Sequence, residues 1–158
     1  MSTDSSDTSQ AAGFHHVAYA CRDIHENHRF YEDLIGLELV KTEVTPYGAG
    51  FFRHTFYDTG DGSCMAFFDL HGVGEADKDR TDISTGLGMP LWVNHIALKR
   101  NADQTAAIVE SLHEAGHGTY TLEHGWCRST YVTDPNGISL EFCVDTPGFE
   151  PDRQRALE

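Results

Sequence analysis

A chain of 158 residues with 39% hydrophobic and 23% charged residues fits one globular domain, or two small modules that share a core. Its formal net charge of −14 disfavours nucleic acid and anionic membrane surfaces as partners. No apolar run approaches the roughly 20 residues of a membrane-spanning helix. The four cysteines form no C-x-x-C pair, which favours reduced thiols and a cytoplasmic location. Residues 1–12 are predicted to be a disordered polar tail.

The first predicted module, residues 13–70, begins with a strand and a helix. Residues 14–21 alternate as a strand does, and Asp23 is a suitable N-cap for a helix that ends at Gly36. Turn-forming residues then separate three strand-like runs, at 37–45, 51–57 and 64–70. The predicted order is therefore βαβββ.

The same pattern restarts after residues 71–90, which show little periodicity and are predicted to link two units. The second module, residues 91–145, contains a strand, a helix and three more strands, at 91–99, 102–115, 118–122, 127–132 and 138–144. Matching landmarks at matching distances predict a duplicated βαβββ module and an α+β fold. Residues 146–158 are predicted to be a C-terminal tail.

Two histidines and one glutamate are the candidate metal ligands. His16 and His95 occupy equivalent positions in the first strands of the two modules, and pseudo-twofold packing is expected to bring both imidazoles into one cavity. Glu141 lies between Leu140 and Phe142, where a buried carboxylate needs a cation, a proton or an outward orientation. Two neutral imidazoles and one carboxylate suit non-haem Fe(II), and also Mn, Ni or Zn acting as a Lewis acid.

These features together resemble the vicinal oxygen chelate superfamily across roughly residues 13–145. The resemblance is carried by the duplicated module, the His-Val and His-Ile strand openings, Arg29-Phe30-Tyr31 before Leu34-Ile-Gly36-Leu37, and Asp134-Pro-Asn-Gly137 before Leu-Glu141-Phe. The superfamily contains glyoxalase I, extradiol catechol dioxygenases, methylmalonyl-CoA epimerase and antibiotic-resistance binders. The resemblance implies a cup-shaped, curved mixed sheet around a metal held by His16, His95 and Glu141. It also implies a homodimer, because many relatives dimerise, sometimes by swapping modules.

The resemblance is less specific for the reaction, and three further positions bear on it. Tyr131 precedes Glu141 as a substrate-binding tyrosine does in extradiol dioxygenases. The distal histidine of those enzymes has no counterpart near residues 63–64, so His124 is the candidate proton shuttle and His54 a candidate for substrate binding. Asp69 lies in the segment where glyoxalase I and the epimerases hold an acidic fourth ligand, and a solvated acid is the alternative.

The leading hypothesis is an extradiol-dioxygenase-like oxidoreductase. Its substrate is a catechol-type small molecule that binds Fe(II) through two adjacent oxygens, with O2 as co-substrate. One alternative is a lyase or isomerase of the glyoxalase or epimerase type with a non-redox divalent metal and Asp69 as fourth ligand. The other is a metal-free resistance-type protein that binds a small molecule, for which the three ligands would not be needed.

Overall fold

The structure is a computed structural model, and it describes residues 13–74 and 80–150. The predicted N-terminal tail and the end of the predicted C-terminal tail lie outside the described residues. The elements in chain order are β1 (His16–Ala20), α1 (Ile24–His28) with a π-helical segment (Arg29–Leu34), β2 (Leu39–Tyr47), β3 (Gly50–Asp58), β4 (Cys64–His71), α2 (Ile83–Gly86), β5 (His95–Lys99), α3 (Ala102–Glu114), β6 (Tyr120–Glu123), β7 (Cys127–Thr133) and β8 (Ser139–Asp145). None of the described helices is long and apolar enough to cross a bilayer.

Each module forms its own four-stranded sheet, and both sheets have the same topology. The strand orders are β1-β4-β3-β2 and β5-β8-β7-β6. The first strand of each module pairs in parallel with the last, and the other pairings are antiparallel. The predicted α+β fold with two βαβββ modules is therefore confirmed. Each module contributes one four-stranded mixed sheet.

The helices begin where local hydrogen bonding favours them. The Asp23 carboxylate accepts hydrogen bonds from the backbone N–H groups of His25 and Glu26, at 2.8 Å and 3.0 Å. At the start of α3, Asn101 and Gln104 form a reciprocal capping box. The helix of the first module ends in the π-helical segment, which turns the rings of Phe30 and Tyr31 into the core.

The two modules share one hydrophobic core. On β1, Val17 and Tyr19 pack against this core, and on β5 Ile96 does so. The buried members come from both modules: Cys21, Phe30, Tyr31, Ile35, Leu37, Tyr57, Met65, Phe67, Leu98, Ile108, Leu112, Val132, Leu140 and Phe142. Because side chains alternate between the faces of a strand, the faces that bear His16 and His95 are turned away from this core.

A buried polar network also joins the modules. The Tyr31 hydroxyl donates a hydrogen bond to Oδ2 of Asp134 at 2.8 Å. The side-chain amide of Asn136 donates to Oδ1 of Asn27 at 2.8 Å. Burial raises the pKa of the Asp134 carboxyl, although the hydrogen bonds that it accepts oppose the shift. The network fixes the position of the turn that precedes β8, and β8 carries Glu141.

Candidate metal centre

His95 and Glu141 lie side by side on neighbouring strands. β5 and β8 pair in parallel, with Ala97 opposite Glu141, so His95 and Glu141 are on the same face of the sheet. Nδ1 of His95 lies 2.9 Å from the Trp92 carbonyl oxygen, which can only accept a hydrogen bond, so Nδ1 carries the proton. Nε2 of His95 then faces Oε2 of Glu141 at 3.0 Å. In the neutral form of the ring, Nε2 therefore presents its lone pair to the carboxylate, and in the charged form it donates a hydrogen bond to it.

Two acceptors at this separation repel each other unless a proton or a cation lies between them. Ligand atoms about 2.1 Å from one ion and at right angles to each other are about 3 Å apart, which matches this pair. The fixed Nδ1–H also resembles the outer hydrogen bond that orients most metal-binding histidines. His95 and Glu141 therefore fit two adjacent positions around a divalent metal ion.

The Glu141 carboxylate is almost fully buried, with 6% of its side chain exposed. Burial raises its pKa, but hydrogen bonds from Cys143, Ser129 and Tyr131 outweigh this effect, and the charge of His95 adds to them. The pKa of Glu141 consequently lies below its ordinary value. The Cys143 thiol donates to Oε1 at 2.9 Å, on the carboxylate oxygen that does not face His95. Glu141 is thus an ionised and well-oriented candidate metal ligand.

Tyr131 and His124 complete this side of the site. Tyr131 is paired with Glu141 across β7 and β8, and its ring centroid lies 6.3 Å from that of His95. Its hydroxyl oxygen lies 3.0 Å from Nε2 of His124. Burial and the charge of Glu141 raise the pKa of Tyr131 to about 12, so its phenol is neutral near pH 7. The structure therefore brings together four of the residues that the sequence singles out: His95, Glu141, Tyr131 and His124.

His16 contacts residues of the first module within one chain. Its ring lies 6.0 Å from that of His54 and 5.4 Å from that of Phe56, both in the first module. Among the described residues, the ligand atoms of His16 do not come within 4.8 Å of those of both His95 and Glu141. The three expected ligands therefore do not form a compact group within one chain, and the site that they are expected to share stays a prediction. The shared core holds the opposite faces of β1 and β5, and it leaves His16 and His95 exposed.

His54 is a buried imidazole on the same face of the first sheet as His16. Its ring stacks on Phe68 at 3.8 Å between centroids, and Nδ1 lies 3.6 Å from Oε1 of Glu43. Nε2 is buried and has no hydrogen-bond partner among residues 13–74 and 80–150. Burial lowers the pKa of His54, although Glu43 opposes the shift. His54 is therefore neutral near pH 7, with an unsatisfied nitrogen beside His16.

Asp69 lies on the opposite face of the first sheet from His16. His16 pairs with Cys64, so the odd-numbered positions of β4, Asp69 included, point to the other side of the sheet. Oδ2 of Asp69 instead lies 2.7 Å from Nε2 of His71 and 4.0 Å from the Arg53 guanidinium. This placement does not support the expectation that Asp69 is a fourth ligand beside His16.

A cavity of about 950 Å³ lies between the modules, next to this centre. Its lining includes Val17, Tyr19, His95 and Arg100. Glu141 and Tyr131 do not line it, so it does not coincide with the candidate metal centre.

Two residues that hydrogen-bond the Glu141 carboxylate were not predicted from the sequence. Cys143 and Ser129 contact its carboxylate. The available signal was the spacing of two between Glu141 and Cys143, which puts both side chains on one face of a strand. Ser129 requires the register of β7 against β8, which local sequence does not specify.

The comparisons with known proteins agree with this architecture. Residues 13–142 match the Glyoxalase/Bleomycin resistance protein/Dioxygenase superfamily. One curated relative, "Putative ring-cleaving dioxygenase MhqE" of Bacillus subtilis, is 42% identical over 65 residues. That match covers 40% of this chain and 22% of the relative, so the chain spans only a fraction of the relative's length.

Three solved structures share the fold at low sequence identity. A glyoxylase/bleomycin resistance protein/dioxygenase domain from Frankia sp. EAN1pec is 18% identical, with 88% of this chain and 96% of that chain covered and a TM-score of 0.64. FosX, a fosfomycin resistance protein of Listeria monocytogenes crystallised with Mn(II), is 14% identical, with coverages of 94% and 99% and a TM-score of 0.61. TnmS3, an antibiotic binding protein from Streptomyces sp. CB03234, is 14% identical, with coverages of 87% and 98% and a TM-score of 0.59. With its duplicated βαβββ modules and this match over residues 13–142, the chain belongs to the Glyoxalase/Bleomycin resistance protein/Dioxygenase superfamily.

Proposed function

We propose that this protein is a metal-dependent enzyme of extradiol-dioxygenase type, which acts on a catechol-like substrate with Fe(II) and O2. The observation that carries the proposal is the pair of His95 and Glu141, in which Nε2 lies 3.0 Å from Oε2. When the His95 ring is neutral, its proton is on Nδ1, so both facing atoms are free to bind a metal ion. Tyr131 and His124 lie on the same side of the site. The short match to a protein named as a ring-cleaving dioxygenase supports the same reaction class.

The third ligand in this proposal is His16 of a second copy of the chain. One chain supplies two adjacent donors, whereas non-haem Fe(II) sites of this kind use two histidines and one carboxylate. His16 and His95 are both exposed, and Tyr120 and Leu122, on the same sheet face as Glu141, expose about half of their surface, 50% and 47%. A twofold symmetric dimer that joins the His16 face of each copy to the His95 face of the other forms two equivalent sites.

The residues around the site have separate tasks in this proposal. Fe(II) held by these residues would offer open coordination positions to two adjacent substrate oxygens and to O2. Tyr131 holds the proton of its hydroxyl at Oη and hydrogen-bonds a substrate oxygen, and His124 exchanges that proton through Nε2 at 3.0 Å. His54 lies near His16 and therefore comes from the same second copy of the chain. Its Nε2 accepts a hydrogen bond from a substrate hydroxyl.

The two alternative functions have weaker support from the geometry. A lyase or isomerase with an acidic fourth ligand needs a carboxylate on the His16 face of β4, and Asp69 is on the other face. A metal-free binding protein does not need the fixed tautomer of His95 or the buried charge of Glu141, which is costly to keep without a cation.

The test is metal content followed by oxygen consumption. The protein is purified without oxygen, chelator or added metal, and its metals are measured by elemental analysis. We expect about one iron per chain, as a facial two-histidine, one-carboxylate site holds, and O2 uptake with a panel of catechols. Protein that binds no iron on reconstitution, or iron-loaded protein that consumes no O2 with any catechol, would contradict the proposal.

A further inference from the structure

Two buried thiols lie near Oε1 of Glu141, the carboxylate oxygen that does not face His95. The ligand atoms of Cys127, Glu141 and Cys143 all lie within 4.8 Å of one another. Ser129 connects the thiols, because its Oγ lies 3.4 Å from Sγ of Cys127 and 3.5 Å from Sγ of Cys143. Pairing of Ser129 with Cys143 and of Tyr131 with Glu141 holds this cluster on one face of β7 and β8.

The cluster is buried, and its two thiols do not contact the substrate or the iron in the proposed reaction. Cys127 is 0% exposed, Glu141 4% and Cys143 9%. The cluster therefore combines two sulfur donors with a carboxylate at a place where a bound ion would be shielded from water. This donor set differs in kind from the imidazole and carboxylate pair on the other side of Glu141.

Sulfur donors select a different metal from imidazole and carboxylate donors. Thiolates favour thiophilic ions such as Zn²⁺, whereas two histidines with one carboxylate suit Fe(II). Zn–S bonds of about 2.3 Å in tetrahedral geometry put two sulfurs about 3.8 Å apart, which the 4.8 Å limit of this cluster accommodates. The carboxylate reaches this position through Oε1, which already lies 2.9 Å from Sγ of Cys143.

We propose that Cys127, Cys143 and Glu141 form a second metal site, specific for a thiophilic divalent ion such as Zn²⁺, which shares Glu141 with the iron site. Binding replaces the two thiol protons with one ion, and both protons are released to solvent. Since Glu141 offers Oε1 to the cysteines and Oε2 to His95, zinc at the cysteines competes with iron for the same carboxylate. Only this competition rests on the proposed function, because the sulfur site lies within one module of one chain.

This site changes how the metal content of the protein is interpreted. Zinc in the purified protein does not by itself indicate a non-redox reaction, because the cysteines offer a place for zinc that is separate from His95. The ligands of the zinc ion, rather than its presence, distinguish the two cases.

The test is X-ray absorption at the zinc edge on the full chain, stripped of metal and then loaded with one equivalent of Zn²⁺. We expect two sulfur ligands at about 2.3 Å in the wild type and in His16→Ala. We expect both sulfurs to be lost from first coordination in the double variant Cys127→Ser, Cys143→Ser. The matched control, Cys21→Ser with Cys64→Ser, removes the other two thiols and keeps the sulfur signal.

Zinc bound in the wild type through nitrogen and oxygen alone overturns the proposal, and so does a sulfur signal that depends on Cys21 or Cys64. The wild type and the control variant Cys21→Ser with Cys64→Ser together decide the question even if the double variant Cys127→Ser, Cys143→Ser does not fold. Failure of the proposed function looks different: the zinc–sulfur signal persists while anaerobically purified protein takes up no iron.

Discussion

Nε2 of His95 lies 3.0 Å from Oε2 of Glu141, and the bond from Nδ1 to the Trp92 carbonyl determines which nitrogen faces the carboxylate. The orientation of His95 is thus set by the main chain just before β5. Glu141 is ionised and nearly enclosed, so a cation beside it would offset part of the cost of burying its charge. Parallel pairing of the first and last strands of the module brings the two residues together.

Replacement of this carboxylate tests the metal centre directly. We expect Glu141→Gln to weaken iron binding by more than about 100-fold, because loss of an outer hydrogen bond alone typically costs 10- to 100-fold. Iron content after reconstitution measures the effect, and O2 uptake should fall with it. Glu123→Gln is the matched control, because Glu123 is exposed and pairs with Arg128 on the edge of the same sheet. Equal iron content in wild type and Glu141→Gln would remove the carboxylate from the ligand set.

The sequence was sufficient to predict the order of elements and most of one half of the centre. Turn residues and a repeated pattern define the two βαβββ modules, and alternation puts Glu141 and Cys143 on one face of β8. Asp69 was harder to assign, because a shift of one residue in register moves a side chain to the other face of a sheet. The position of His16 depends on how two separate modules pack, through contacts such as that of Tyr31 with Asp134, more than 100 residues apart. Local patterns do not encode such packing.

Mixed dimers test whether His16 and Glu141 come from different copies. His16→Ala and Glu141→Gln are each expected to be inactive. When the two variants are unfolded and refolded together, half of the dimers contain one copy of each, and each mixed dimer holds one intact site. We therefore expect about a quarter of the wild-type activity per chain to return. If both ligands belonged to the same chain, no intact site would form and the mixture would stay inactive.

Tyr131 is expected to contribute to the rate and not to metal binding. Tyr131→Phe removes the hydroxyl that lies 3.0 Å from Nε2 of His124, while the ring still packs against Tyr120 at 4.9 Å between centroids. We expect kcat to fall by about 10²-fold or more, as for loss of a proton-transfer group, with unchanged iron content. Tyr120→Phe, which keeps the stacked pair of rings, serves as the control and should retain the wild-type rate. Loss of iron from Tyr131→Phe would show a structural role for the hydroxyl.

The buried bond between Tyr31 and Asp134 is expected to stabilise the junction of the modules. Tyr31→Phe keeps the ring in the core but removes the hydrogen bond that its hydroxyl donates to Oδ2 of Asp134, while the bond from the Asn136 side-chain amide to the same oxygen remains. Removal of one partner from a buried polar group costs about 1–3 kcal/mol, so the free energy of unfolding in urea should fall by this amount. Tyr47→Phe is the control, because 61% of Tyr47 is exposed, and it should change the free energy of unfolding little. An equal effect of both substitutions would show that the buried bond contributes no stability.

Asp134 is also expected to make stability depend on pH in a direction unusual for a carboxyl group. Its pKa is raised in the folded state, chiefly by burial, above the ordinary value of 3.8. The folded protein therefore retains this proton at pH values where the unfolded chain has lost it. The resulting stabilisation is fully present below the ordinary pKa and is lost as the pH rises through the raised value. Asp134→Asn, which does not titrate, lacks this contribution at every pH.

The measurement is the difference in unfolding free energy between wild type and Asp134→Asn, from urea titrations at several pH values between 4 and 7. We expect the wild type to lose stability relative to Asp134→Asn as the pH rises from the ordinary pKa of 3.8. Asp134→Asn also changes the hydrogen bonds at this site, which shifts the free energy of unfolding by an amount that does not depend on the titration of Asp134. The slope of the difference in unfolding free energy against pH therefore reports the titration of Asp134. A difference that grows in favour of the wild type as the pH rises would mean that the hydrogen bonds from Tyr31, Asn136 and Ile138 outweigh burial and lower the pKa of Asp134.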